Sequence, residues 1–106
     1  MRTAKILYKG EEAGIITQHD DASFTFRYHD KWMADASKPA ICLTLPKTKQ
    51  EYNSQYLFPY FFNIIPEGAN RKAICTDLRM DEDDYFGILL ITGKHDTIGA
   101  IKVVKI

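Results

Sequence analysis

Apolar and polar residues alternate in short runs through the first half of the chain, and from Pro66 onward the apolar spacing changes to three and four. Alternation at period two marks strands with one buried face, while the longer spacing marks helices. The first half therefore predicts four strands. Thr3 to Lys9 sets Ala4, Ile6 and Tyr8 on one face, and Lys9-Gly10-Glu11-Glu12 turns it into a second strand near Gly14 to Gln18, with Gly10 as the positive-φ residue. After the aspartate turn His19-Asp20-Asp21-Ala22, a third strand places Phe24, Phe26 and Tyr28 inward against Ser23, Thr25 and Arg27. A fourth, Ile41 to Leu45, alternates Ile41, Leu43 and Leu45 against Cys42 and Thr44 and is stopped by Pro46.

Two helices are predicted next. One opens at Glu67-Gly68 and runs to about Leu78, with Ala69, Ala73, Ile74 and Leu78 on its buried side. For the other, Asp81 is the cap, Glu82, Asp83 and Asp84 favour its positive end, Tyr85, Phe86, Leu89 and Leu90 form the core stripe, and Gly93 closes it. A last strand, Ile98 to Ile106, follows, with Gly99 allowing close backbone approach. The expected fold class is α+β: a small antiparallel sheet of about five strands with two helices inserted before the last one, in a single domain over residues 1–106.

Charge narrows the partners. Fourteen basic residues balance fourteen acidic ones, which disfavours direct nucleic-acid binding as the sole task. No apolar run approaches the ~20 residues of a membrane helix, and Met1 to Lys5 lead into a strand pattern, so a cytoplasmic protein without a membrane partner is expected. The two cysteines, Cys42 and Cys75, lie in apolar stretches without metal or redox spacing and read as buried reduced thiols.

No catalytic constellation is legible. Gly87 to Lys94 differs from a phosphate loop in the spacing of its glycines, in its apolar filling and in carrying His95 where Ser or Thr is needed. His19, His29 and His95 lack paired-ligand spacing, and Asp81 to Asp84 lacks the alternating oxygens of a calcium loop. Ser23 with His19 is the nearest approach to a nucleophile and base. Neither a metal nor a cofactor is expected, and the chain reads as a binding domain, not an enzyme.

Taken in order, Phe24-Thr-Phe-Arg-Tyr28, Ile41-Cys-Leu-Thr-Leu-Pro46, Phe61-Phe-Asn-Ile-Ile-Pro-Glu-Gly68, Asp84-Tyr-Phe-Gly-Ile-Leu-Leu90 and Gly93 followed by Gly99-Ala100 resemble the N-terminal domain of HipA-family kinases over nearly the whole chain. Departures are Ile64-Ile65 for a Leu-Leu pair and the Lys94-His95-Asp96 link. The resemblance implies that a complete kinase would continue into a lobe carrying the phosphate loop, catalytic aspartate and metal ligand. A free-standing version of the domain is similar to HipS of the tripartite HipBST toxin–antitoxin systems. It implies a HipA-like (HipT) serine/threonine kinase as partner, inhibited by binding, with a HipB-like helix-turn-helix protein as a further partner. The alternatives are the excised N-terminal lobe of a full-length kinase, or an adaptor tethering the kinase to HipB.

For the contact surface the candidates are Tyr52 and Tyr56 in the polar stretch Lys47 to Leu57, Phe58 directly after it, Trp32, and Glu67 in the Pro66-Glu67-Gly68 turn. Exposed aromatics favour recognition. Each has a structural alternative as well: a tyrosine ring laid on the domain's own core, Trp32 covering the end of the sheet, and Glu67 serving the helix start.

Overall fold

The computed structural model describes residues 1–65, 68–92 and 101–106. Five strands form one antiparallel sheet: β1 (Arg2–Tyr8), β2 (Glu11–Gln18), β3 (Phe24–Tyr28), β4 (Glu51–Ser54) and β5 (Ile101–Lys105), in the spatial order β4-β3-β2-β1-β5. Four helices are described: α1 (Asp30–Ala34), α2 (Pro59–Asn63), α3 (Gly68–Leu78) and α4 (Tyr85–Thr92). The α+β expectation holds.

The first three strands form where expected, except that β2 begins at Glu11 instead of Gly14: the turn is only Lys9-Gly10, and Glu11 and Glu12 pair with Tyr8 and Leu7. Lys9 and Gly10 both adopt positive φ, at 50° and 86°, which is the backbone twist a two-residue hairpin needs. At the β2–β3 turn the Asp21 carboxylate accepts from the Ser23 amide at 3.0 Å and the Ser23 hydroxyl at 2.6 Å, holding the left-handed Ala22. Ala4, Ile6, Ile16, Phe24, Phe26 and Tyr28 then share one buried face, joined from β5 by Ile101 and Val103.

Helix α4 lies against that face. Phe86, Gly87, Ile88, Leu89 and Leu90 are all buried, so burial extends beyond the expected stripe, while Ile91 in the last turn is 37% exposed. Of the expected stripe, Phe86, Leu89 and Leu90 are core and Tyr85 packs half-buried against it. The cap, however, is Asp84 and not Asp81: Asp84 Oδ1 accepts from the Gly87 amide at 3.2 Å, whereas Asp81 Oδ1 closes a local turn on the Asp83 amide. A Cβ at position 87 would run into the Asp84 carboxylate, which explains the glycine.

The expected strand Ile41–Leu45 is absent. β3 has one free edge, and Glu51–Ser54 takes it in the register Phe24↔Ser54 to Arg27↔Glu51. With no ladder to join, residues 41–45 fold as a turn, because the buried Tyr28 hydroxyl donates to the Leu45 carbonyl and accepts from the Ile41 amide, drawing the two ends together. Ile41 and Leu45 are buried, but Leu43 stands 98% exposed, and Cys42 is half-buried where full burial was expected. Burial pushes the Tyr28 hydroxyl up to about 12, so it stays a protonated donor.

Helix α3 faces differently from expectation. Ala69, Ala73 and Leu78 are exposed, and only Cys75 is fully buried, with Ile74 half-buried. Alanines offer too little apolar area to orient a helix, and Arg71, stacked 5.4 Å over the Tyr85 ring, sets the face instead. The helix ends in a Schellman motif with Arg79 in the left-handed position, the Met80 amide donating to the Cys75 carbonyl at 2.8 Å. Gly93, Gly99 and the first part of the expected last strand lie outside the described residues; the strand itself is present as Ile101–Lys105, antiparallel to β1.

Candidate protein-binding surface

The five sequence candidates are not brought together. Trp32 is buried at 4% exposure, its ring 5.7 Å from Tyr8 and its indole nitrogen donating to the Pro39 carbonyl at 2.9 Å. Phe58 is buried at 6% and packs edge-on to Phe61. Both rings are spent on the domain's own core. Glu67 lies outside the described residues.

Tyr52 and Tyr56 part company within the strand and its exit. Tyr52 sits in β4, half-buried, its hydroxyl donating to the Pro46 carbonyl at 2.6 Å and Lys49 lying 5.4 Å over its ring. It fastens the loop to the sheet. Tyr56 has its amide held by the Ser54 hydroxyl oxygen at 3.1 Å while its ring remains 77% exposed. A ring whose backbone is fixed and whose face is wet loses little freedom on binding.

Beside Tyr56 runs an open groove of about 450 Å³. Phe24, from the end of the sheet, Leu57, and Phe62 and Tyr85 from α2 and α4 line it. Phe62 and Tyr85 meet edge-to-face at 5.0 Å, and Phe24 meets Phe86 the same way at 5.6 Å, so the floor is formed by packed rings. Asp83 and Asp84 stand along one side. Asp84 is fixed from behind: Arg2 donates to its two oxygens at 2.7 and 3.1 Å and to Gln18 at 2.8 Å through Nε, and stacks 5.3 Å from Phe86. The hydrogen bonds from Arg2, with the Gly87 amide, hold the Asp84 carboxyl below its usual range against the opposing effect of burial. Asp83 is exposed.

Catalytic geometry is not assembled among the described residues. The Ser23 hydroxyl donates to Asp21 and the His19 ring meets the Thr25 hydroxyl at 2.7 Å, so Ser23 and His19 form no nucleophile–base pair. No group of three His, Cys, Asp or Glu side chains able to hold a metal is found among the described residues, and no helix there is long and apolar enough to cross a membrane. The arrangement offers an apolar, aromatic-lined groove beside the exposed Asp83.

A family model described as the HipA N-terminal domain matches residues 4–104. The chain belongs to that family. A solved structure of the N-terminal domain of HipA toxin superposes with a TM-score of 0.73 at 26% identity, covering 100% of this chain and 93% of that one. An uncharacterized protein of Haemophilus influenzae is 30% identical over 103 residues, with 97% of this chain and 92% of the relative covered. Two Sinorhizobium fredii proteins named provisionally as kinases, Y4mE and Y4dM, are 23% and 26% identical, and the chain spans 24% of the length of each. The HipA-domain resemblance read from the motifs is thus borne out.

Sequence reasoning missed the groove and Leu43. The groove joins positions from 18 to 86, and no local pattern links them. The signal for Leu43 was present but misread: an aliphatic residue between Cys42 and Thr44 reads as strand unless the edge it needs is already taken.

Proposed function

We propose that the chain is a non-catalytic, HipS-like regulatory component of a bacterial toxin–antitoxin system. It binds a HipA-like (HipT) serine/threonine kinase in the cytoplasm and restrains it, supplying in trans a domain that other kinases carry fused. The observation that carries this reading is the double setting of the domain: it makes up about a quarter of the provisionally named S. fredii kinases, yet it accounts for 92% of the H. influenzae relative. A domain found both fused and nearly alone is suited to acting on its counterpart by association. The exposed Tyr56 and the aromatic groove beside it give that association a surface.

Co-expression with the HipT-type kinase encoded beside it is expected to yield a stable complex, relief of growth arrest and a fall in phosphotransfer. A purified chain that neither binds nor slows that kinase sinks the proposal. The S. fredii coverage favours a second reading, in which the same domain is the N-terminal lobe of a longer kinase. The complete reading frame decides between them. An adaptor that tethers the kinase to a HipB-like protein would bind without changing the phosphotransfer rate.

A further inference from the structure

The groove beside Tyr56 combines an aromatic floor with a rim whose described charged residues are acidic, and the two together point to its occupant. Among the described residues that line it, the charged ones are Asp83 and Asp84, with neither lysine nor arginine beside them. Asp84 is neutralised by Arg2, while Asp83 is exposed, with exposed Asp81 and Glu82 directly before it in the chain. Arg71 lies against the Tyr85 ring and does not line the groove. Among the described lining residues no cation stands ready for a phosphate or carboxylate, and the exposed Asp83 favours a positively charged group instead.

We infer that this groove receives a segment of the partner kinase that presents an aromatic or large aliphatic side chain next to lysine or arginine. The apolar side chain enters over Phe24, Leu57, Phe62 and Tyr85, Tyr56 closes on it from the rim, and the cation lies along Asp83 and its acidic neighbours. The site is ready-made, since the Phe62–Tyr85 contact and the Tyr56 amide hold the walls before any partner arrives. Charge on the rim governs the rate of encounter and its salt dependence, while the rings govern how long the complex lasts. The inference rests on the kinase-binding reading and names the part of this chain that performs it.

The test titrates the purified kinase with the full chain and four variants, at low and moderate salt, with circular dichroism confirming each fold. Tyr56→Ala is expected to raise Kd by ~30-fold or more, as for an interface anchor. Asp83→Lys is expected to raise it by ~10-fold, chiefly through slower association, and to flatten the salt dependence. Asp83→Asn is expected to fall between wild type and Asp83→Lys, and Asp77→Lys, the same charge reversal on the exposed side of α3, to stay within ~2-fold. If the wild-type chain binds but all four variants bind equally well, the groove is not the contact and the kinase-binding reading survives. If the wild-type chain binds no kinase, both fall. Dimerisation of the chain that Tyr56→Ala abolishes would assign the groove to a second copy and overturn the inference.

Discussion

The three-stranded start of the sheet and the segment from Asp35 to Phe58 use their large side chains in opposite ways. In β1 to β3 the side chains serve the backbone's pairing: Phe24, Phe26 and Tyr28 turn inward, and the ladder hydrogen bonds hold the strands. In the later segment, apart from β4, side chains hold the backbone, one of them reaching over from β3. Tyr28 clamps residues 41 and 45, Lys47 Nζ donates to the Asp35 and Lys38 carbonyls at 2.7 Å each, and Tyr52 donates to Pro46. Because polar side-chain contacts do that work, Leu43 and Tyr56 are released to face solvent. Regular pairing consumes apolar side chains, while a loop tied at a few polar points can display them.

That contrast can be broken by mutation, and the effects should fall in order. Phe26→Ala removes a fully buried ring from the centre of the sheet face and should cost ~3–5 kcal/mol, read by urea denaturation. A loss under ~1 kcal/mol would mean the ring is not in a packed core. Tyr28→Phe keeps the ring and deletes the clamp, leaving the Ile41 amide and Leu45 carbonyl without their partner, so a loss of ~1–3 kcal/mol is expected. Amide exchange should quicken in residues 41–45 and leave β1 to β3 unchanged. Uniform quickening would show that the loop has no separate tie.

Smaller effects come from the capped helix and from the displayed residues. Asp84→Ala removes the α4 cap and the Arg2 contact at a site about one-third exposed, and should cost ~1 kcal/mol by thermal melting. The sign with pH follows from the lowered Asp84 value. Its contribution is complete above the ordinary carboxylate range and disappears as acid brings the pH down through the depressed value. Asp84→Asn should therefore flatten part of the acid limb of the melting curve; an unchanged limb would place the acid sensitivity elsewhere. Smallest of all, Leu43→Ser and Tyr56→Ala should leave stability within ~0.5 kcal/mol, as exposed side chains do. Destabilisation beyond that would show that these residues pack and are not on display.

Much of the fold was legible in advance for local reasons. The Lys9-Gly10 turn, the Asp21 turn and the alternation of Phe24, Phe26 and Tyr28 each depend on residues a few positions apart. Burial of Phe86, Leu89 and Leu90 was legible because their three- and four-residue spacing puts them on one helix face. Candidate contacts were harder. Tyr56 emerged exposed, but Trp32 and Phe58 have equally suggestive sequence surroundings and are buried, since nothing local says whether a ring finds a hole in its own domain.

By itself, then, the sequence determined the α+β class, the first three strands, the core helix and the family, because period, turn chemistry and ordered motifs are properties of neighbours along the chain. Tertiary structure alone decided which segment joined the free edge of β3, which face α3 turned inward and where the aromatic groove opened. Those outcomes are contests between distant segments for one partner. Glu51–Ser54 won the edge, and Ile41–Leu45, with the stronger strand pattern, was folded into a turn by a single buried hydroxyl and left Leu43 outside.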